Sequence, residues 1–419
     1  MKIVKLSLIV VAAIAAVVFG LSTMSYAFHS GGVAECMGCH NMHGAAGPGL
    51  LVGSDQSSTC LTCHAGPTLS SYHVMTDPAP AAGTAPANLT PGGDFGWLKK
   101  SYYFAVRNSP NSEEGETHGH NIISADKGYT VDSRNATAPG GTFNSNNLMC
   151  NSCHDQHGQV RRLSDATFAR TGAPIIGSGS YGSSSAPAAG QAVGTFRLLR
   201  STLSDQTHAA GGPTFVNTPV VAFTPSTYNR TEAATMTRTE YNSQMSAYCG
   251  SCHTDMHSTA GILRHPAGTA LTGGTLNNYN TYVKSGNLGG SSATAYNSLV
   301  PFEQGLAVDV VNLATLQTRA LNTGAAIALE GPMATGGVMC LSCHRAHASG
   351  FPEMTRWNNE GEFMMKNGFY PGTDSTDTDS RGIARGKTVA ETSAAYYNKP
   401  ITAFATFQRS LCNKCHAKD

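Results

Sequence analysis

Charge is scarce in this sequence. Charged residues make up 13% of the 419 positions, about half the share of an average globular protein, and the formal net charge is only +1. No cluster of lysine and arginine marks a nucleic-acid-binding surface, so we predict no nucleic-acid partner. Near-neutral surfaces with few charges associate readily, which is compatible with a protein that assembles with copies of itself.

Long apolar runs are missing outside the N-terminus. The run Leu6–Phe19 follows two lysines and precedes the small-x-small sequence Ser25-Tyr26-Ala27, which is the pattern of a cleaved signal peptide. The run is too short for a spanning helix, and no later stretch qualifies. We therefore predict export, a signal peptide over 1–27 that is cleaved after Ala27, and a mature chain over 28–419; a retained anchor is the alternative.

Sustained hydrophobic periodicity is also rare. Helical periodicity is plausible only over 231–248 and 302–321, and 97–107 could form a strand. The 46 glycines and 19 prolines lie mostly in turn-forming stretches between these segments. Such a composition is typical of loops rather than of a packed core. Because no boundary divides the chain, we predict a single domain over 28–419 whose core is provided by something other than the polypeptide.

Cysteine and histidine, in contrast, occur in a fixed pattern. The 12 cysteines form six Cys-x-x-Cys-His motifs and none is left over. This is the attachment signal of c-type haem, in which both thiols bond to the porphyrin and the next histidine becomes the proximal iron ligand. Structural zinc or disulfides are the alternatives, but neither explains a histidine after every second cysteine. In chain order, sites 1 to 6 are Cys36, Cys39 and His40; Cys60, Cys63 and His64; Cys150, Cys153 and His154; Cys249, Cys252 and His253; Cys340, Cys343 and His344; and Cys412, Cys415 and His416.

Ten of the 16 histidines lie outside these motifs. A six-coordinate haem needs a second axial ligand, and this supply predicts bis-histidine ligation of all six irons, with methionine as the alternative. No iron would then have an open position for a substrate. His118 and His208 lie in polar surroundings, and we interpret them as surface residues. Six of the other eight are predicted to be distal ligands: His29, His43, His73, His120, His157, His257, His265 and His347.

Four of these candidates closely follow a proximal histidine. His43, His157 and His347 lie three residues after one, and His257 lies four after one. If the chain is helical there, both side chains lie on one face, and the second cannot reach the far side of its own haem. It can reach a neighbouring haem, so the spacing predicts haems in near contact.

Specific strings outside the haem motifs also carry information. The segments 28–36, 91–97, 226–232, 340–350 and 411–419 resemble those of the OmcS-like outer-membrane and extracellular hexahaem c-type cytochromes, which are subunits of cytochrome nanowires. The resemblance implies a mostly irregular coil with short α-helices and very little β-structure, wrapped round a continuous chain of six covalently attached haems. It also implies head-to-tail polymerisation, with His43 ligating a haem of the neighbouring subunit.

The sequence therefore predicts electron transfer without substrate chemistry and no catalytic residues. Sites 1 and 6 lie near the two ends of the predicted mature chain, and one heterologous interface between such ends would produce an open filament. We expect a secreted conductor that passes electrons from outer-membrane conduits to metal oxides, electrodes or partner cells. A soluble periplasmic shuttle is the alternative. A multihaem reductase is a weaker one, because no motif has the altered proximal residue that often marks an open haem.

Overall fold

The computed structural model describes residues 36–70, 72–206, 212–225, 239–256, 266–284, 286–291, 294–296, 300–306, 312–321 and 331–417. Most of these residues lie in loops and turns. The α-helices among them are α1 Cys36–Cys39, α2 Gln56–His64, α3 Cys150–Cys153, α4 Met245–Gly250, α5 Gly273–Thr281, α6 Leu313–Leu321, α7 Cys340–Cys343, α8 Thr378–Gly382, α9 Val389–Ala395 and α10 Arg409–His416. In this part of the chain, no helix is long and apolar enough to cross a membrane.

Short 3-10 turns connect many of the loops. They are Pro48–Leu50, Phe95–Lys99, Gly115–His118, Ala125–Lys127, Ser145–Asn147, Phe196–Leu198, Thr254–Met256, Pro352–Met354 and Ile401–Ala403. Such turns rarely extend beyond a few residues because their hydrogen-bond geometry is poorer than that of an α-helix. They redirect the chain repeatedly, and three of them are part of the haem sites described below.

Strands are few and short: β1 Ala65–Gly66, β2 Met75–Thr76, β3 Tyr102–Val106, β4 Ser109–Glu113, β5 Val160–Leu163, β6 Phe168–Arg170, β7 Ala192–Gly194, β8 Ala222–Phe223 and β9 Glu240–Tyr241. β1 and β2 pair in parallel, β3 with β4 and β8 with β9 pair antiparallel, and β6-β5-β7 form an antiparallel sheet of three. The β3–β4 hairpin turns at Arg107 and Asn108, which have φ of 49° and 66°. Positive φ at both turn residues matches the twist of such a hairpin.

Several of these short helices begin at a side-chain cap. The Asp55 carboxylate accepts from the backbone N–H of Ser58 at 2.7 Å at the start of α2. Thr388 and Glu391 form a capping box at the start of α9. Caps of this kind satisfy the free N–H groups of the first turn, which explains how helices of one or two turns form in a glycine-rich chain.

An aromatic cluster lies beneath this irregular surface. Trp97, Phe351 and Tyr396 are 2%, 2% and 5% exposed and belong to a group of buried side chains drawn from many loops. Leu61 of α2 and Leu411 of α10 reach the same cluster, so two haem-attachment helices are anchored in it. The expectation that the polypeptide lacks a core of its own is therefore wrong for this region.

The predicted segments of regular structure are only partly present. Within 302–321, Leu313–Leu321 is helical, as α6, and 302–306 is not, while 307–311 and 231–238 lie outside the described residues. The remainder of 231–248 contains β9 and the start of α4. The prediction of a strand over 97–107 is right for Tyr102–Val106. The first residues belong instead to the 3-10 turn Phe95–Lys99, which Asp94 caps.

Candidate haem-binding sites

Each attachment motif lies on or next to a helical turn. Cys-x-x-Cys forms the whole of α1, α3 and α7, ends α2 and α10, and at site 4 starts within α4. In a helical turn, side chains three residues apart lie on one face, so the two thiols of a motif point to the same side. None of the twelve cysteines is in a disulfide, so each pair is available for two thioether bonds to a porphyrin.

The thiols of consecutive sites lie close together. At each junction, burial and a cysteine of the adjacent site alter the pKa of a cysteine, which shows that the two sulfurs are near each other. The pairs are Cys39 and Cys63 between sites 1 and 2, Cys60 and Cys150 between sites 2 and 3, Cys153 and Cys252 between sites 3 and 4, Cys249 and Cys340 between sites 4 and 5, and Cys343 and Cys412 between sites 5 and 6. The six sites therefore form a linear series in the order of the sequence.

Two of these junctions differ from the other three. The sulfur of Cys60 lies close to that of Cys150, and the sulfur of Cys249 lies close to that of Cys340. Each of these contacts joins the first cysteine of an even-numbered site to the first cysteine of the next odd-numbered site. The first cysteines of neighbouring sites therefore meet at the junctions 2–3 and 4–5, whereas the cysteines at the other three junctions act on each other through charge.

Five of the six proximal histidines are oriented by a backbone carbonyl. Nδ1 lies at hydrogen-bond distance from a carbonyl oxygen, which places the proton on Nδ1 and leaves the Nε2 lone pair for iron. The pairs are His40 with Gly49 at 2.9 Å, His64 with Tyr72 at 2.7 Å, His154 with Arg197 at 2.8 Å, His253 with Pro139 at 2.8 Å, and His344 with Glu353 at 2.7 Å. This is the usual arrangement around a metal-bound imidazole.

Sites 1, 3 and 5 share one local structure that sequence reasoning missed. In each, the carbonyl comes from the middle residue of a three-residue 3-10 turn, and that residue has positive φ: Gly49 at 69°, Arg197 at 49° and Glu353 at 58°. Non-glycine residues in this region cost about 1 kcal/mol or more each. The conformation is retained because it directs the carbonyl towards the proximal histidine.

Two histidine pairs have their ring centres at the spacing expected of the two axial ligands of a bis-histidine haem. The ring centres of His120 and His253 are 6.1 Å apart, and those of His154 and His347 are 6.4 Å apart. An imidazole–iron–imidazole axis requires about 6 Å between ring centres, because each imidazole–metal bond is about 2 Å long. His120 therefore fits as the distal ligand at site 4, and His347 fits at site 3.

Both distal rings are held by one backbone pairing. Gly119 and Ala348 form an antiparallel bridge, and the N–H of His120 donates to the carbonyl of His347 at 2.9 Å. The His120 Nδ1 lies 2.8 Å from the Ala346 carbonyl. This pairing fixes the ligands of two neighbouring haems relative to each other, although they are far apart in sequence.

The surroundings keep these rings neutral, as iron ligation requires. Burial lowers the pKa of His120 to about 4, and burial with the nearby His154 lowers the pKa of His347 to about 3. The His347 ring also stacks on Phe95, with 4.8 Å between ring centres and 25° between planes.

The interpretation of His118 as a surface residue is wrong. Its side chain is fully buried between Trp97 and Tyr102, and its Nε2 lies 2.9 Å from a Glu113 oxygen. Its Nδ1 lies 2.9 Å from the Ser349 carbonyl. Because both ring nitrogens face oxygen acceptors, neither is directed at an iron.

Of the other distal candidates, the structure describes His43, His73 and His157. His73 is half-buried, with Nδ1 2.9 Å from the Thr68 carbonyl, and its charge contributes after burial to the lowered pKa of His64. His43 and His157 are exposed. Four histidines lie outside the described residues, namely His29, His208, His257 and His265.

The chain is not helical after the proximal histidine at sites 1, 3 and 5, so the helical arrangement considered above does not occur there. The one-turn helix ends at the second cysteine, and the histidine is extended, with φ of −111° at both His154 and His344. The chain leaves the helix there because the histidine pairs with the strand-like residue that follows the 3-10 turn, for example His154 with Leu199. The histidine three residues later is therefore directed away from its own site by a turn, not by a helix face.

A sequence signal for this shared structure exists at sites 1 and 5. Both read Cys-x-x-Cys-His-x-x-His followed by a proline eight residues after the proximal histidine, Pro48 and Pro352, and then by Leu50 or Met354. Site 3 has the same structure but a much longer loop before its 3-10 turn. His43 and His347 thus occupy equivalent positions in two copies of one unit.

Comparison with known proteins agrees with this geometry. Residues 29–68 match the family model described as a doubled CXXCH motif. The chain is 49% identical to the C-type cytochrome OmcS of Geobacter sulfurreducens, over 94% of this chain and 95% of that protein. The chain belongs to the OmcS family. Its resemblance to OmcS-like hexahaem cytochromes is thereby confirmed.

Two solved OmcS structures from Geobacter sulfurreducens have the same fold. One is a cryo-EM structure of OmcS nanowires, with a TM-score of 0.82 and 46% identity; the other is the outer-membrane cytochrome S filament, with a TM-score of 0.83 and 47% identity. Each match covers 94% of this chain and all of the solved chain. The predicted fold class, a mostly irregular multihaem cytochrome with short helices, is confirmed, as are six covalently attached haem c groups.

Proposed function

We propose that this protein conducts electrons out of the cell through six closely packed bis-histidine haems, as the subunit of a head-to-tail filament. The mature chain, 28–419, is a single domain that is exported after cleavage at Ala27. Electrons pass from outer-membrane conduits to extracellular acceptors such as metal oxides, electrodes or partner cells. Kinship with OmcS, whose solved structures are filaments, supports the assembly.

The observation that carries this proposal is the linear series of thiol contacts. Among the described residues, each junction brings a cysteine of one site near a cysteine of the next, which supports one path of haems along the chain rather than a cluster round a pocket. Two irons in the middle of that path have a histidine on each side at ligand spacing. Such irons exchange electrons but offer no position to a substrate.

The shared unit of sites 1, 3 and 5 also supports ligation of His43 between subunits. At site 5, the histidine three residues after the proximal ligand is His347, and it lies opposite the proximal histidine of site 3, two sites back. If site 3 follows the same rule, His157 ligates the haem of site 1. Applied to site 1, the rule directs His43 two sites back, beyond the start of its own chain.

In a head-to-tail filament, that position is site 5 of the preceding subunit. His43 would therefore complete the haem held by His344 of the preceding subunit. Its exposure in the single subunit, beside an equally exposed Met42, agrees with a ligand that faces outward. Haem ligation and subunit assembly then become one event. The alternative is that His43 ligates a haem of its own subunit.

The ferric spectrum of the intact filament tests the electron-transfer function. We expect six low-spin haems, because every iron has two imidazole ligands. Replacing His120 or His347 with alanine should convert about one sixth of the haem to high-spin in each case, and the two losses should add in the double variant.

Phe95→Leu is the matched control for the His347 variant. It removes the ring that stacks on His347 but leaves both ligands of site 3 in place, so all six haems should stay low-spin. Unchanged spin state in both alanine variants would refute the two ligand assignments. A substantial high-spin fraction in the unmodified filament would instead contradict the proposed function and favour an open, substrate-binding haem.

A further inference from the structure

A buried carboxylate lies at the junction between sites 4 and 5. Glu303 is 1% exposed, and its two oxygens accept from the backbone N–H and the hydroxyl of Ser246, at 3.3 Å and 2.5 Å. The N–H of Met245 also donates to it. These two residues are the first two of α4, the helix that carries Cys249, so Glu303 caps the attachment helix of site 4.

The backbone of Glu303 also connects it to site 5. Glu303 exchanges both backbone hydrogen bonds with Gly337, three residues before Cys340. The hydroxyl of Ser342, inside the site 5 motif, donates to the carbonyl of Pro301 at 2.5 Å. In agreement, the negative charge of Glu303 is among the causes that raise the pKa of the Cys249 thiol, after its hydrogen bond with Cys340 and burial.

The junction between sites 2 and 3 repeats this arrangement with a different residue. Asp55 caps α2, which carries Cys60, and accepts from Ser58 N–H at 2.7 Å and from the Ser58 hydroxyl at 2.8 Å. Ser57, in the same first turn, accepts from the N–H of Cys150 at 3.1 Å. Asp55 thus lies beside the contact between Cys60 and Cys150, and its charge acts on both thiols.

Neither carboxylate has a cationic partner among the described residues. Burial raises the pKa of Glu303, and the hydrogen bonds that Ser246 and Met245 donate to the carboxylate lower it; a carboxylate that only accepts has the hydrogen-bond pattern of the ionised form. In the low-dielectric surroundings of the buried Glu303, an uncompensated negative charge acts on neighbouring groups much more strongly than it would in water. Asp55 is half-buried, so its charge is screened more. At both junctions the cysteines beside the carboxylate are the attachment points of two haems.

We propose that Glu303 and Asp55 tune the haem chain, each lowering the reduction potentials of the two haems whose first cysteines it adjoins. A fixed negative charge stabilises Fe(III) relative to the Fe(II) formed when one electron arrives, so reduction becomes less favourable. Haems 2 to 5 then have lower potentials than the polypeptide alone would give them. The attachment helix of site 6 has no carboxylate cap: Gln408 occupies its N-cap position. Haems 1 and 6, at the subunit ends, are not lowered in this way.

The test is a spectroelectrochemical titration of haem-loaded Glu303→Gln, compared with the unmodified protein. Glutamine keeps the size of the side chain and its carbonyl acceptor but removes the charge. We expect two of the six midpoint potentials to move upward and four to stay. Asp55→Asn should move a different pair. Asp377→Asn, which changes a helix cap on α8 whose surroundings include no cysteine, should move none.

The variants also separate charge from structure. Ser246→Ala removes one hydroxyl donor but retains the carboxylate, so it should not raise the potentials. If it raises the same two potentials as Glu303→Gln, the effect comes from a disturbed helix, and the proposal is overturned. No shift in either carboxylate variant would also overturn it. The inference rests on the proposed haem chain; the titration uses the assembled filament of each variant, so that every haem keeps both axial ligands, and electron microscopy of the same samples scores filament formation separately.

Discussion

Replacing His43 with alanine is expected to leave six attached haems but to abolish filaments. The thiols and proximal histidines are untouched, so covalent attachment proceeds. The site 5 haem, however, loses the ligand that we assign to the neighbouring subunit, and about one sixth of the haem should become high-spin. Haem content, spin state and electron microscopy of the same preparation measure the three effects together.

Met42→Ala is the control for this experiment. Met42 is 75% exposed beside His43, so its removal takes away apolar surface at the same end of the subunit without removing a ligand. That variant should stay fully low-spin and still polymerise. Free imidazole added to His43→Ala should restore the low-spin spectrum without restoring filaments, because it replaces the ligand but not the link between subunits. Normal filaments with six low-spin haems in His43→Ala would rule out ligation between subunits.

The protein made without haem should not fold. The attachment helices α1, α3 and α7 have only four residues each, and isolated helices of this length are not stable in water. Haem supplies a rigid apolar surface and two covalent links at each of them, much as disulfides or metals stabilise small scaffolds. Expression of residues 28–419 in the cytoplasm, where haem is not attached, should give a chain that proteases digest completely under conditions that leave the haem-loaded protein intact.

The aromatic cluster is an argument against this prediction, because its contacts are between protein side chains. Trp97, Phe351 and the residues around them form a buried group without any cofactor, and α10 is anchored in it through Leu411. Circular dichroism and limited proteolysis distinguish the outcomes. A compact, protease-resistant haem-free chain would show that this cluster is a sufficient core and that the polypeptide folds without its haems.

Much of the site chemistry is visible in the sequence, because haem attachment and proximal ligation are local. A cysteine pair and the histidine after it lie within one turn, so Cys150, Cys153 and His154 can be assigned without knowing the fold. The scarcity of charge and of hydrophobic periodicity likewise indicates an irregular chain. These features depend only on neighbouring residues.

The distal ligands depend on contacts between distant segments. His120 becomes a ligand candidate for site 4 because Gly119 pairs with Ala348, more than 200 positions later in the chain. His118, two residues before it, faces Glu113 instead. The sequence separated the two by naming only His120 a candidate, but it could not show that His118 is buried or which site His120 faces, because both depend on segments distant in the chain.

The repeated unit of sites 1, 3 and 5 was hidden for a different reason. What the three sites share is a conformation, namely a residue with positive φ whose carbonyl faces the proximal histidine. The residues in that position, Gly49, Arg197 and Glu353, have unrelated side chains. The carbonyl group is the same in every residue type, so the sequence need not show it. The proline shared by sites 1 and 5 was the available signal.

The central claim is that subunits join end to end so that the haem chain continues across the interface. Electron cryo-microscopy of the secreted fraction tests it most directly. The account predicts filaments at high protein concentration, with six haems per subunit in sequence order and His43 of each subunit bonded to the site 5 iron of the preceding one. Discrete particles alone, or filaments in which His43 ligates no haem of a neighbour, would contradict it.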